Sequence, residues 1–242
     1  EMCIRDRLGV GYPAYPDVSG LSETLKMRSD LYTYAATAVA TLIAAVGISG
    51  GMYVVRNMVW TEGIFVANDF WRGVKLNYKN ALQTALFFLV ILTLCTTMIN
   101  MADLTLVANT SLAGFRRVWL NVSKAISYVT VALAALMSLW MLALGVNYKQ
   151  KFFQMLRNSF LLTVGTFPQT IFFAVLALLP FVLFLIPGNL FVVIAVFMVL
   201  LFAFAYLLLV WLDYAQWAFD KFINPKIQGA KVGRGIYNLS LI

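Results

Sequence analysis

Few residues in this chain have side chains and spacings suited to chemistry. Histidine is absent, which removes Ser-His triads and histidine metal sites. Two cysteines, Cys3 and Cys95, make no disulfide framework, and Cys95 lies in an apolar run as a small hydrophobe. No glycine-rich phosphate loop, metal-ligand spacing or catalytic carboxylate pair is present, so no cofactor is expected. Two polar sets remain. Thr93, Thr96, Thr97 and Asn100 sit within an apolar run and, with Pro168, form a candidate polar site inside a membrane. The plainer reading, favoured here, is hydrogen bonding between helices, worth about 0.6 kcal/mol per pair. The second set is Arg56, Glu62, Asp69, Arg72, Lys75 and Lys79. Its mixed signs fit either a clamp, with Asp69 paired to Arg72 or a more distant cation, or a docking surface for a cytoplasmic partner.

The elements that must hold these residues follow from composition. Of 242 residues, 62% are hydrophobic and 12% charged, against roughly 25% charged in a soluble domain. Mean hydropathy is +0.85. A soluble enzyme, a disordered tail and an ATPase are excluded, and an integral membrane protein remains. The net charge of +8 lies between apolar runs, where it suits anionic lipid headgroups rather than nucleic acid. Leu31–Val55, Asn80–Ala102 and Ala125–Tyr148 are free of charge, as is Asn158–Leu212. The last would make a helix roughly 80 Å long against a hydrocarbon core of about 30 Å, so it must hold two crossings. Pro187-Gly188-Asn189 marks the turn between them.

The expected fold is therefore all-α. Five transmembrane helices, at about 31–54, 81–102, 125–147, 166–186 and 190–212, form one domain over 31–222. An N-terminal tail (1–30) and a basic C-terminal tail (223–242) flank it. Residues 1–7 resemble a sequencing-adapter scar and are set aside. With five spans, eleven basic residues from Arg56 to Arg234 fall on one side and seven on the other. The positive-inside rule then places the N-terminus outside and the C-terminus in the cytoplasm of a plasma-membrane protein.

Two cytoplasmic amphipathic elbow helices are expected. In the first, Asn68 or Asp69 caps a helix on which Trp71, Val74, Tyr78 and Leu82 share a face beside Arg72, Lys75 and Lys79; it runs straight into the second span. The second, Lys149–Asn158, leads into the fourth span. Together they suggest a weak repeat over about 31–103 and 123–187. Ala36, Ala40 and Ala44, then Gly47 and Gly51, are spaced by four and suit close helix packing, within this bundle in the plainer reading favoured here, or as a docking face for a partner subunit. Leu104–Phe115 is too short to span and reads as a loop, partly re-entrant. Pro168 and Pro180 interrupt the fourth span.

Three stretches carry a family resemblance: Gly50–Asn57, Glu62–Phe65 and Asp69–Lys79. With Phe152–Thr163, Gly165–Pro168 and Phe219–Phe222, they resemble the YesL-type family of bacterial membrane proteins, a domain of unknown function. The resemblance covers most of 31–224. It implies no catalytic residue. It does imply an accessory role beside carbohydrate uptake, so a non-enzymatic accessory or scaffold subunit attached to a carbohydrate transporter or sensor is expected. The alternative is a small transporter, or a substrate-binding membrane subunit, for a sugar or other small solute.

Overall fold

The computed structural model describes residues 21–60, 63–108, 114–185, 189–227 and 232–233. The described segments are helical apart from short connections, with no strand among them. Helices α1 (Leu21–Val59), α2 (Val66–Ala108) and α3 (Gly114–Asn147) come first. They are followed by α4 (Phe152–Gly165), α5 (Phe167–Ala177) and a 3-10 segment (Leu179–Leu185). Then α6 (Asn189–Met198) passes through a π-helical turn (Val199–Ala203) into α7 (Phe204–Phe222), and a 3-10 turn (Asn224–Lys226) follows.

Four segments are long and apolar enough to cross a membrane: Arg28–Val59, Val66–Val107, Gly114–Asn147 and Leu201–Lys226. A fifth exists if α4 and α5, which meet at 96°, count as one broken span. The chain is an integral multi-pass membrane protein of all-α class. The spans sit differently along the chain from the expected ones. Residues 166–186 are not one helix. At about 1.5 Å per residue, the 11 residues of α5 reach only about 16 Å, and a 3-10 segment containing Pro180 follows. The break has a local cause. In a helix continued through 166, Pro168 would lack its bond to the Val164 carbonyl and its ring would clash there. Pro168 instead occupies the first turn of α5, where a missing N–H is harmless. Leu104–Ala108, assigned to a loop from sequence, continues α2; residues 109–113 lie outside the described set. The two halves of the suggested repeat also differ. The first amphipathic stretch is continuous with its span in α2, whereas the second, α4, turns sharply into α5.

The fold divides into two compact units. The first comprises Glu1–Ile43 and Ala85–Ala135. Its interior is small: Ile99, Ala102 and Ala134 are buried, with Asn100 and Ser127. Two polar links tie its segments. The Asn100 amide donates to the Asp30 carboxylate at 2.8 Å, and Lys124 forms an ion pair with Asp103. Most of its large side chains, such as Leu94, Met98, Val118 and Ile126, face outward, as lipid-facing residues do.

The second unit comprises Ala44–Thr84 and Leu136–Ile242 and holds the larger core. Lipid tails are as apolar as leucine, so apolar burial does not drive helices together in a bilayer; close packing and hydrogen bonds do. Both are present. At Gly50 and Gly73, α1 and α2 approach closely. A Cβ on Gly73 would lie 2.4 Å from Tyr53 Cβ and 3.2 Å from the Gly50 Cα. A Cβ on Gly50 would lie 2.7 Å from the Phe70 ring. Aromatic rings from α3 and α7 fill the centre. Trp140, Trp211 and Phe219 are fully buried, with the Trp140 ring 5.3 Å from Trp211 and 5.4 Å from Tyr214, edge-on or tilted.

Candidate functional site

Polar atoms inside a bilayer must find partners within the protein. Where they find them decides which of the sequence candidates is available to an outside ligand. In the threonine stripe the hydroxyls of Thr96 and Thr97 turn back to their own helix. Thr96 Oγ1 donates to the Leu92 carbonyl at 2.6 Å, and Thr97 Oγ1 to the Thr93 carbonyl at 2.7 Å. Asn100 is buried and bonded to Asp30. These residues belong to the first unit and Pro168 to the second. Pro168 is exposed at the start of α5, just past the 96° bend from α4.

The charged set divides by role. Arg56 is half-buried and turned inward. Its Nη1 donates to the Val146 carbonyl at 2.8 Å and its Nη2 to Asn57 Oδ1 at 3.1 Å. Its guanidinium lies 4.2 Å from the centre of the Tyr53 ring and 4.5 Å from that of Trp60. It ties the end of α1 to the end of α3. Asp69 is half-buried in the first turn of α2, where its Oδ2 accepts the Phe65 N–H at 3.0 Å. The helix begins at Val66, so neither Asn68 nor Asp69 is the N-cap expected from sequence; Asp69 lies inside the first turn and satisfies the preceding Phe65 N–H from there. Arg72, Lys75 and Lys79 are exposed along one side of α2. Glu62 lies outside the described residues.

The buried side of α2 is not the aromatic one. Gly73, Asn77, Ala81 and Thr84 are buried, while Trp71 and Leu76 point out and Tyr78 is 38% exposed. Small and polar side chains face the protein because the helices approach closely there. The aromatics face the surroundings beside the cations, the pattern of a helix at a headgroup boundary. Of the small-residue face on α1, Ala36, Ala40, Ala44 and Gly47 are exposed. A Cβ on Gly47 would meet nothing within 4 Å. Gly51 alone is packed, with Leu208 Cδ1 3.2 Å from an added Cβ.

Two buried networks in the second unit escaped the sequence reading. In the first, Thr170 is the centre. Its hydroxyl lies 3.3 Å from Trp140 Nε1, which donates to it, 3.0 Å from Thr166 Oγ1 and 3.1 Å from Tyr214 Oη. Trp211 Nε1 donates to the Leu139 carbonyl at 2.9 Å. In the second, Asp220 collects donors. Its Oδ1 accepts from the amides of Gln216 (3.0 Å) and Asn224, and its Oδ2 accepts the Gly233 N–H at 3.1 Å. Gln216 Oε1 accepts Trp60 Nε1 at 2.9 Å, and Asn224 Oδ1 accepts the Tyr148 hydroxyl at 2.5 Å. Gly233 has φ 79°, a conformation that favours glycine. Burial, with a smaller contribution from the Asp220 charge, pushes the Tyr148 phenol well above its ordinary value. In the sequence, Asp213, Gln216 and Asp220 follow the last apolar run at spacings of three and four, a helical stripe that points to this network.

Both networks are structural in geometry: each polar atom named meets a protein partner, and none is left aimed at a substrate. Among the described residues no cluster of three metal-ligating side chains exists. Comparison with protein-family models, with curated proteins and with solved structures finds no match.

Proposed function

We propose that this chain is a non-enzymatic accessory or scaffold subunit of a bacterial plasma membrane, holding a transporter or sensor subunit against the N-terminal part of α2. The observation that carries the reading is the exposed row Arg72, Lys75 and Lys79 beside Trp71. This row stands on a stretch of helix fixed by the Gly50–Gly73 approach and by Asp69. A rigid basic and aromatic face suits an acidic cytoplasmic loop of a partner as well as anionic headgroups. The resemblance to the YesL-type family supports carbohydrate uptake as the system served. The excess of basic residues on the side of Arg56 to Arg234 supports an outside N-terminus and a cytoplasmic C-terminus. Transport by this chain alone has less support, because the Thr96 and Thr97 hydroxyls that would line a path bond to their own helix.

The test is a mild-detergent pull-down from cells grown on polysaccharide, comparing wild type with R72E/K75E/K79E. Co-purification of one permease or sensor subunit, lost in the triple variant while insertion is unchanged, is expected. Equal recovery of that subunit with both proteins would remove α2 as the docking face.

A further inference from the structure

The second unit contains a cavity of about 390 Å³ beside the bend between α4 and α5, a size typical of small-ligand sites. Its walls are Leu161 and Leu162 from α4 and Phe222 and Ile223 from the end of α7, with Asn158 and Lys226 as polar lining. Leu162 is buried, while Leu161 is 56% and Phe222 39% exposed. The apolar lining therefore continues onto surface of the kind that faces lipid. Thr166, the residue before α5, also lines it, so the positive end of that helix lies at the cavity.

The surrounding charge is of one sign. Lys226 is exposed, as are Arg157 and Lys221, each adjacent in sequence to a lining residue. Among the described residues none of the three is paired with a carboxylate. Lys221 Nζ rests 5.0 Å from the centre of the Trp217 ring and 5.4 Å from that of Phe222, as a cation does at a headgroup boundary. No acidic residue occurs from 104 to 212 or after 220, and the Asp220 carboxylate is bonded to Gln216, Asn224 and Gly233.

We propose that this cavity binds one anionic glycerophospholipid from the surrounding bilayer, an acyl chain against Leu161, Leu162 and Phe222 and the phosphate at Lys226. The apolar lining selects an amphiphile over a free sugar or phosphate. The unopposed cations select an anionic headgroup over a zwitterionic one. This inference is independent of the docking role of α2.

Native mass spectrometry of delipidated protein, titrated with phosphatidylglycerol and with phosphatidylcholine of the same chains, tests it. Wild type is expected to retain one phosphatidylglycerol in preference. Lys226→Glu should weaken that binding about five- to tenfold and leave phosphatidylcholine unchanged. Gly165→Trp should abolish retention of both lipids. Gly165 lines the cavity and a Cβ on it meets nothing within 4 Å, so an indole there has room beside the lining residues, and an unchanged melting temperature confirms that the variant is folded. Inorganic phosphate should not displace the lipid. Equal binding of the two lipids, full retention by a folded Gly165→Trp, or displacement by phosphate would each overturn the proposal.

Discussion

At the residue scale, glycines and buried hydroxyls decide the packing. Gly73→Ala places a methyl group 2.4 Å from Tyr53 Cβ, so the helices must separate. The expected loss is about 1–3 kcal/mol, read as a lower midpoint in detergent unfolding. Gly47→Ala meets nothing and should be neutral or stabilising by up to about 1 kcal/mol. A second expectation concerns pH. The Tyr148 phenol is held above its ordinary value of about 10 by burial and the Asp220 charge. The folded state therefore keeps this proton more tightly than the unfolded state. The contribution is complete below about pH 10 and is lost as pH rises from the unfolded value towards the folded one. Melting curves from about pH 8 to 11 should show this alkaline loss in wild type, with a shallower slope in Tyr148→Phe. Identical slopes would mean that the phenol ionises as freely in the fold as outside it.

At the scale of elements, the apolar runs were legible because charge is excluded from a bilayer. α1, α2 and α3 cover the first three expected spans with wider margins. The wider margins have a physical reason: Arg72, Lys75 and Lys79 end the charge-free run but not the helix, since an amphipathic stretch can leave the hydrocarbon and stay helical. The sequence also pointed to Pro168 as an interruption, but not to the 96° turn at Thr166. That turn is held by contacts distant in sequence, among them Thr166 and Thr170 with Tyr214 Oη. The small-residue face on α1 was legible as a pattern, yet composition does not say which of two glycine-bearing faces is covered. The more tightly covered one is at Gly50, through partners Phe70 and Val74 that lie on α2, while the other meets only Leu208, at Gly51. Thr170→Val tests the network at the bend. It leaves the Trp140 N–H buried without its acceptor, for an expected cost of about 1–3 kcal/mol, while Thr97→Val, whose hydroxyl bonds only its own helix, should cost less than about 0.5 kcal/mol. Equal effects would show that the bend does not depend on Thr170.

At the scale of the whole molecule, the chain is a multi-pass membrane protein whose two buried networks, around Thr170 and around Asp220, bond to the protein itself. That leaves its surfaces to carry function, and the rigid basic face of α2 is the surface that the proposed role requires. Placing a photo-crosslinking amino acid at Lys75, in native membranes, reads this directly. The account predicts one dominant adduct, a permease or sensor subunit identified by mass spectrometry, lost when Arg72 and Lys79 are reversed to glutamate. Adducts with lipid alone, from a correctly inserted protein expressed beside its native partners, would contradict it.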